Sequence, residues 1–307
     1  MSAIKAGDYV GRKSYGMDIV FNVKRIEETE SRGAKTGTAI ALLRAFEFRL
    51  MASAPLDDLV VLEPERFREV ISRSEANMSR RTDYCLERRT PLNRAPTPGS
   101  ESGAESEADP AAAFKDAPVQ LPGRVLHIDG DQEYLDYCLK HYSKLGLEAY
   151  GVYVPETEQP KQVKKLIAQY QPDMIIMTGH DGYSRKKRSG NELDHYYHSK
   201  YFVQAVRNAR LLRPDKDSLV IFAGACQSHY EAILEAGANY ASSPERKLIN
   251  CYDPVLVAET VCFTPLGKTA DIVAVIGNTI TGREGIGGIE TRGLLRTSLP
   301  APTHSNH

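Results

Sequence analysis

Apolar positions are organised in three different ways along this chain. In the first sixty or so residues they come in short bursts between glycines and charges. Val10 lies between Gly7 and Gly11, Ile19-Val20-Phe21 and Val23 follow, Gly33 and Gly37 mark turns, and Ala39-Ile40-Ala41-Leu42-Leu43 and Leu59-Val60-Val61-Leu62 come later. Such bursts predict short strands. Several in so short a span predict a small all-β barrel of SH3-like type over residues 1–64, a docking or stabilising module. From about Phe67 to Asn93 the chain is charged, with the pairs Arg80-Arg81 and Arg88-Arg89, and reads as a fraying helix. From Pro96 to Pro110 apolar side chains almost vanish. That stretch cannot bury enough surface to offset its ordering entropy, so residues 65–122 read as a charged segment leading into a disordered linker.

From Gly123 onward, continuous apolar runs alternate with helical periodicity. Arg124-Val125-Leu126-His127-Ile128 reads as a strand ending at Asp129-Gly130-Asp131, with Asp131 capping a helix that carries Tyr134, Leu135, Cys138, Tyr142 and Leu145 to Gly146. Ala149 to Val154 is a second strand, and Pro160 opens a helix with Val163, Leu166, Ile167 and Tyr170 on one face. Pro172 to Met177 is a third strand, ending at His180. A helix then carries Tyr201, Phe202, Ala205 and Val206 inward. Ser218 to Phe222 is a fourth strand, ending at Cys226, and a helix through Ile233 and Leu234 closes at Gly237. Apolar strands alternating with amphipathic helices predict an α/β domain over 123–300, a mostly parallel sheet flanked by helices, with 301–307 as a tail. Ligands bind such sheets outside the carboxyl ends of the strands.

Composition narrows the function. Hydrophobic residues are 41% and charged residues 26%, with a net charge of −1. No global field points to nucleic acid or to a membrane surface. No run approaches the roughly 18 apolar residues of a membrane span, and the N-terminus lacks the basic-then-apolar order of a signal peptide. The expectation is a protein that is cytoplasmic when made. Five scattered cysteines, with no C-x-x-C pair, argue against a disulfide framework or a zinc site and leave a thiol free for chemistry. No cofactor or metal is expected.

Two strand ends carry the chemistry, Met177-Thr178-Gly179-His180-Asp181-Gly182 and Phe222-Ala223-Gly224-Ala225-Cys226-Gln227. A thiolate is a nucleophile, and an imidazole beside it supplies and receives the proton. With Cys226 opening a predicted helix, the dipole and His180 would both favour its thiolate. The backbone N–H of Cys226, with that of Asp181 or Gly182, would form an oxyanion hole. Each residue alone reads as an ordinary buried cysteine or a hydrogen-bonded histidine. On successive strand ends of one sheet they read as a Cys226/His180 dyad.

The order strand–His–Gly then strand–Ala–Cys, with Cys226 46 positions after His180, resembles the caspase–gingipain–legumain group of cysteine proteases. Val10-Gly11-Arg12-Lys13-Ser14-Tyr15-Gly16, Val125 to Asp131, Thr178 to Gly182, Ala223 to Ser228 and the glycine-rich tail together resemble the YabG family of sporulation-specific proteases in spore-forming Firmicutes. That resemblance implies the His180/Cys226 dyad, cleavage after arginine, self-processing, action on spore coat or spore-specific precursor proteins, and a place in the sporulating mother cell and spore coat. It departs from the caspase group in one position, since Asp181 rather than glycine follows His180.

An arginine pocket needs a carboxylate. Asp129 and Asp181 head the candidates, followed by Asp131 and Asp253. Flexible basic sites, Arg80, Arg81, Arg88, Arg89 and Arg188, are candidates for self-cleavage. His195 and His198 read as surface histidines, and Gly282 to Gly293 as a loop, either mobile beside the active site or plain surface. The competing readings are a receiver or flavodoxin-like signalling domain and a coat-associated scaffold. The oligomeric state is open.

Overall fold

The computed structural model describes residues 3–29, 38–89, 119–184 and 192–298. The Gly33 and Gly37 turns, the linker over 90–118, Arg188 and the 301–307 tail lie outside the described residues.

The N-terminal strands are β1 (Tyr9–Arg12), β2 (Phe21–Thr29), β3 (Thr38–Ala45), β4 (Met51–Pro55) and β5 (Leu59–Val61). They form one antiparallel sheet in the order β4-β3-β2-β1-β5 around Val10, Phe21, Val23, Ala41, Leu43 and Leu59. Among the described residues the edge strands β4 and β5 do not pair, so the sheet is open and the predicted barrel closure is not observed.

The charged segment folds as α1 (Pro64–Arg89), a single 26-residue helix. Its C-terminal arginines reach across to a buried carboxylate, which holds the end expected to fray: Arg88 and Arg89 both bind Glu259 at 2.8 Å, and Glu259 is fully buried. The partner is 170 positions away, and no local signal in α1 announces it.

The second unit contains β6 (Val119–Leu121), β7 (Val125–Asp129), α2 (Gln132–Lys144), β8 (Ala149–Tyr153), α3 (Gln159–Tyr170), β9 (Met174–Thr178), α4 (Ser199–Leu212), β10 (Val220–Ala223), α5 (Tyr230–Glu235), β11 (Tyr240–Ser242), α6 (Asp253–Cys262), β12 (Thr269–Ala270), α7 (Ile272–Asn278), β13 (Ile286–Gly288), β14 (Thr291–Arg292) and β15 (Arg296–Ser298). The main sheet runs β13-β11-β10-β9-β7-β8, parallel except for β13, which adds antiparallel to β11. Two small ribbons, β12–β14 and β6–β15, complete it. Strand residues alternate between two apolar clusters. Val125, Ile176 and Phe222 pack with Tyr252, Leu256 and Val261, whereas Leu126, Ile175 and Ile221 pack with Val163, Phe202 and Val206. That two-sided burial is why these strands read as continuous apolar runs rather than alternating ones. Every residue of α6 is buried, as a helix between a sheet and another helix requires.

The glycine-dense segment departs from its expectation. Part of it is the edge strand β13. A Cβ on Gly288 would lie 2.4 Å from the Asn239 carbonyl oxygen, and one on Gly293 would lie 2.2 Å from that of Thr264, so glycine serves close backbone approach here rather than mobility.

Candidate active site

The parallel register of β9 and β10 sets Met177 opposite Ala223. His180 and Cys226 each lie three residues beyond that pair, at the same rim of the sheet. On the other side of β9, Asp129 ends β7 opposite Thr178, and Asp131 follows two residues later. The loops at this rim are tightly packed. Glu156 accepts the His180 backbone N–H at 2.6 Å, and a Cβ on Gly130 would lie 2.3 Å from its carboxylate.

His180 is held by Asp131. Its Nε2–H donates to Asp131 Oδ2 at 3.0 Å, while its Nδ1 is buried and has no hydrogen-bond partner among the described residues. In the neutral imidazole this arrangement puts the proton on Nε2 and leaves the Nδ1 lone pair free. Asp131 also caps α2, accepting the Tyr134 N–H at 3.0 Å, and pairs with Arg44 of β3 at 3.1 Å. Burial opposes its ionisation, but the His180 hydrogen bond, the Arg44 charge and the Tyr134 N–H outweigh it and hold the carboxyl at about 2. Asp131 was read from sequence as a helix cap and a possible arginine ligand. The cap is there, and the carboxylate orients His180, a role sequence reasoning left unassigned. His198 is not simply a surface histidine, since its Nδ1 donates to the His180 carbonyl at 2.7 Å.

Cys226 lies in a different setting from the one expected. The following helix starts at Tyr230, with His229 as its cap, so Cys226 does not meet a helix N-terminus. Its side chain is fully buried, and Sγ accepts the Ile249 N–H at 3.2 Å. Burial pushes the thiol up to about 12, against the backbone N–H groups of Ile249 and Arg49 and the Arg49 charge. The thiol is therefore protonated as it stands. Among the described residues no hydrogen bond joins it to His180.

The four acidic candidates differ in what holds them. Asp129 is fully buried and pairs with Arg49 Nη1 at 2.5 Å, while Arg49 Nη2 lies 3.4 Å from Cys138 Sγ and from the Cys251 carbonyl oxygen. One rim carboxylate thus already holds a guanidinium. Asp181 is instead a structural bolt. Its oxygens accept from the Gly182 and His198 N–H groups and from the Ser199 and Ser228 hydroxyls, and burial raises its carboxyl above the ordinary value despite them. Asp253 is likewise saturated by Asn250, Ile280 and Thr281, and burial raises it to about 6. Neither offers a free oxygen to a substrate arginine. The Gly182 N–H is spent on Asp181, which leaves the N–H groups of Cys226 and Asp181 from the expected oxyanion set.

The self-cleavage candidates of α1 are helical and partly docked. Arg81 donates to the Gly277 carbonyl at 3.2 Å, and Arg89 donates to that of Leu145 at 2.6 Å and covers the Phe263 ring. Among the described residues, Arg80 bonds only within its own helix, to Ala76 and Asn77. Cutting at any of these four would first require unwinding the helix. Among the described residues no helix is long and apolar enough to cross a membrane.

Comparison with known proteins places the chain in a family. A relative described as "Sporulation-specific protease YabG", from Bacillus subtilis (strain 168), is 40% identical over 299 residues, which cover 96% of this chain and 97% of the relative. A family model described as YabG peptidase U57 matches residues 5–300. The chain belongs to the YabG peptidase U57 family.

Proposed function

We propose that this peptidase is a cysteine endopeptidase of sporulation that cleaves after arginine, with Cys226 as nucleophile, His180 as acid and base, and Asp131 as the residue that orients His180. The observation that carries the reading is the rim itself: Cys226 and His180 each follow by three residues the last paired position of two adjacent parallel strands, and His180 is held by a carboxylate while its other ring nitrogen has no partner among the described residues.

The chemistry follows from those atoms. His180 Nδ1 takes the thiol proton as Sγ attacks the carbonyl carbon of the bound peptide. The developing oxyanion is met by the backbone N–H groups of Cys226 and Asp181. His180 then gives the proton to the leaving amine, leaving a thioester on Cys226. In the second half His180 takes a proton from water, which attacks the thioester and frees the acid and the thiol. Asp131 stabilises the imidazolium formed in between.

Asp129 is the acidic residue best suited to a substrate arginine. It sits on the same rim, and it already accepts a guanidinium in fully buried geometry. The relative's description as a sporulation-specific protease supports a role in sporulation. To that role the proposal adds spore coat or spore-specific precursor proteins as substrates, action in the mother cell and the coat, and self-processing. A receiver reading finds no support in a peptidase family.

The test is direct. Purified Cys226→Ala and His180→Ala proteins should lose hydrolysis of arginyl peptides and any self-trimming while melting as wild type does. Activity surviving in either variant would remove the dyad.

A further inference from the structure

The arginine that fills the Asp129 site comes from the chain itself. Arg49 lies in the turn joining β3 to β4, a hairpin of the N-terminal sheet, and it is completely buried at the rim of the other sheet. The whole turn is seated there. Phe48 forms an antiparallel bridge with Asn250, the Cys251 N–H donates to the Glu47 carbonyl at 2.9 Å, and the Arg49 N–H donates to the Ile249 carbonyl at 3.4 Å. Residues 47–49 therefore pair with the loop segment 249–251 through an isolated antiparallel bridge and its flanking hydrogen bonds, the backbone pairing by which an extended peptide is held. Ile249 is also the residue whose backbone engages Cys226 Sγ. The docked segment, its arginine and the thiol meet at one place.

Beyond Arg49 the chain does not continue along that segment. The Leu50 N–H donates to the Phe48 carbonyl at 2.7 Å, a three-residue turn, and the Ala45 N–H donates to the Leu50 carbonyl at 2.9 Å. The Arg49–Leu50 peptide bond is folded back into the hairpin instead of being laid out for attack. The Tyr134 hydroxyl of α2 clamps the tip, its single proton shared between the Ala45 carbonyl at 2.7 Å and that of Phe48.

We propose that the β3–β4 hairpin tip is an internal inhibitor of this protease, with Arg49 filling the Asp129 site in place of a substrate arginine and residues 47–49 occupying the backbone of segment 249–251. The inference rests on the arginine and Cys226 assignments above. A substrate must displace the tip, so the structure is the closed form of the enzyme.

The test uses the full chain and two readouts, hydrolysis of an arginyl peptide and alkylation of individual cysteines by iodoacetamide followed by mass spectrometry. Arg49→Ala should raise both hydrolysis and Cys226 alkylation at least about tenfold, because a tethered competitor acts at an effective concentration in the millimolar range. Tyr134→Phe, which keeps the ring and loses only the clamp, should raise both by a smaller factor. A peptide of the sequence Phe46–Leu50 added in trans should inhibit the Arg49→Ala enzyme, and the same peptide with alanine for arginine should not. Cys85 and Cys262, buried away from the tip, serve as controls and should stay protected. Should Arg49→Ala not fold, Tyr134→Phe and the controls decide.

Folded variants whose hydrolysis and Cys226 alkylation match wild type would overturn the proposal. So would alkylation of all five cysteines rising together, which would make Arg49 a structural bolt. Absence of arginyl hydrolysis in every variant would refute the arginine reading itself. Hydrolysis that is present, abolished by Cys226→Ala and indifferent to Arg49 would refute the inhibitor alone.

Discussion

Asp131→Asn isolates the orienting role of one carboxylate. The substitution keeps size and helix-capping ability, since asparagine caps as well as aspartate. What it removes is charge, from a side chain bonded to His180 at 3.0 Å and to Arg44 at 3.1 Å. Lowering a carboxyl from about 3.9 to about 2 corresponds to roughly 2.5 kcal/mol of preference for the charged form. That preference is shared among His180, Arg44 and the Tyr134 N–H. Folding therefore loses on the order of 1–2 kcal/mol, a Tm drop of about 3–8 °C for a domain of this size. Catalysis should lose far more. An amide in place of the carboxylate can present an N–H to Nε2, which forces the ring proton to Nδ1 and removes the base, at a cost of about 10²- to 10⁴-fold in kcat. Steady-state kinetics on an arginyl peptide, paired with a melting curve, separates the two effects. A folded Asp131→Asn enzyme within about threefold of wild-type kcat would refute the orienting role, because a cap or a surface ion pair predicts that result.

The buried pair gives a second expectation. Asp129→Asn strands the Arg49 charge and should cost about 3–5 kcal/mol in chemical denaturation. A loss under about 1 kcal/mol would contradict a desolvated pair. The Arg49 charge holds Asp129 well below the usual carboxylate range despite its burial, so its stabilisation is complete above the unfolded value of about 3.9 and fades as pH falls below it. Asp253 has the opposite sign. Burial raises it to about 6, so the folded state binds its proton more tightly and stability gains as pH drops from about 7 towards 4.5. Relative to wild type, Asp253→Asn should flatten the melting profile across that window, and an identical profile would refute the assignment. Glu259→Gln should loosen α1 through Arg88 and Arg89, seen as faster amide hydrogen exchange at residues 80–89. Unchanged exchange there would mean that packing alone docks the helix.

Much of the α/β unit was legible in the chain. Strands buried on both faces must be apolar at every position, and Val125 to Asp129, Met174 to Thr178 and Val220 to Ala223 announce themselves that way. Short-range chemistry was equally visible, from the Asp131 cap to the helix end at Gly146. Strand-end logic then put His180 and Cys226 on one rim, and the register confirms the shared rim.

What the tertiary structure alone decided is which partner each polar group meets. Sequence put Asp129 and Asp181 ahead of Asp131 and Asp253, and only the folded chain could set Asp181 and Asp253, held by amides and hydroxyls, apart from Asp131 on His180 and Asp129 on Arg49. The same holds for Glu259 and α1, and for the hairpin tip that reaches Cys226 from 177 positions earlier in the chain. Local sequence sets periodicity and caps because those depend on neighbours three or four residues away. An ion pair or a docked turn depends on where distant elements come to rest, and no local pattern records that.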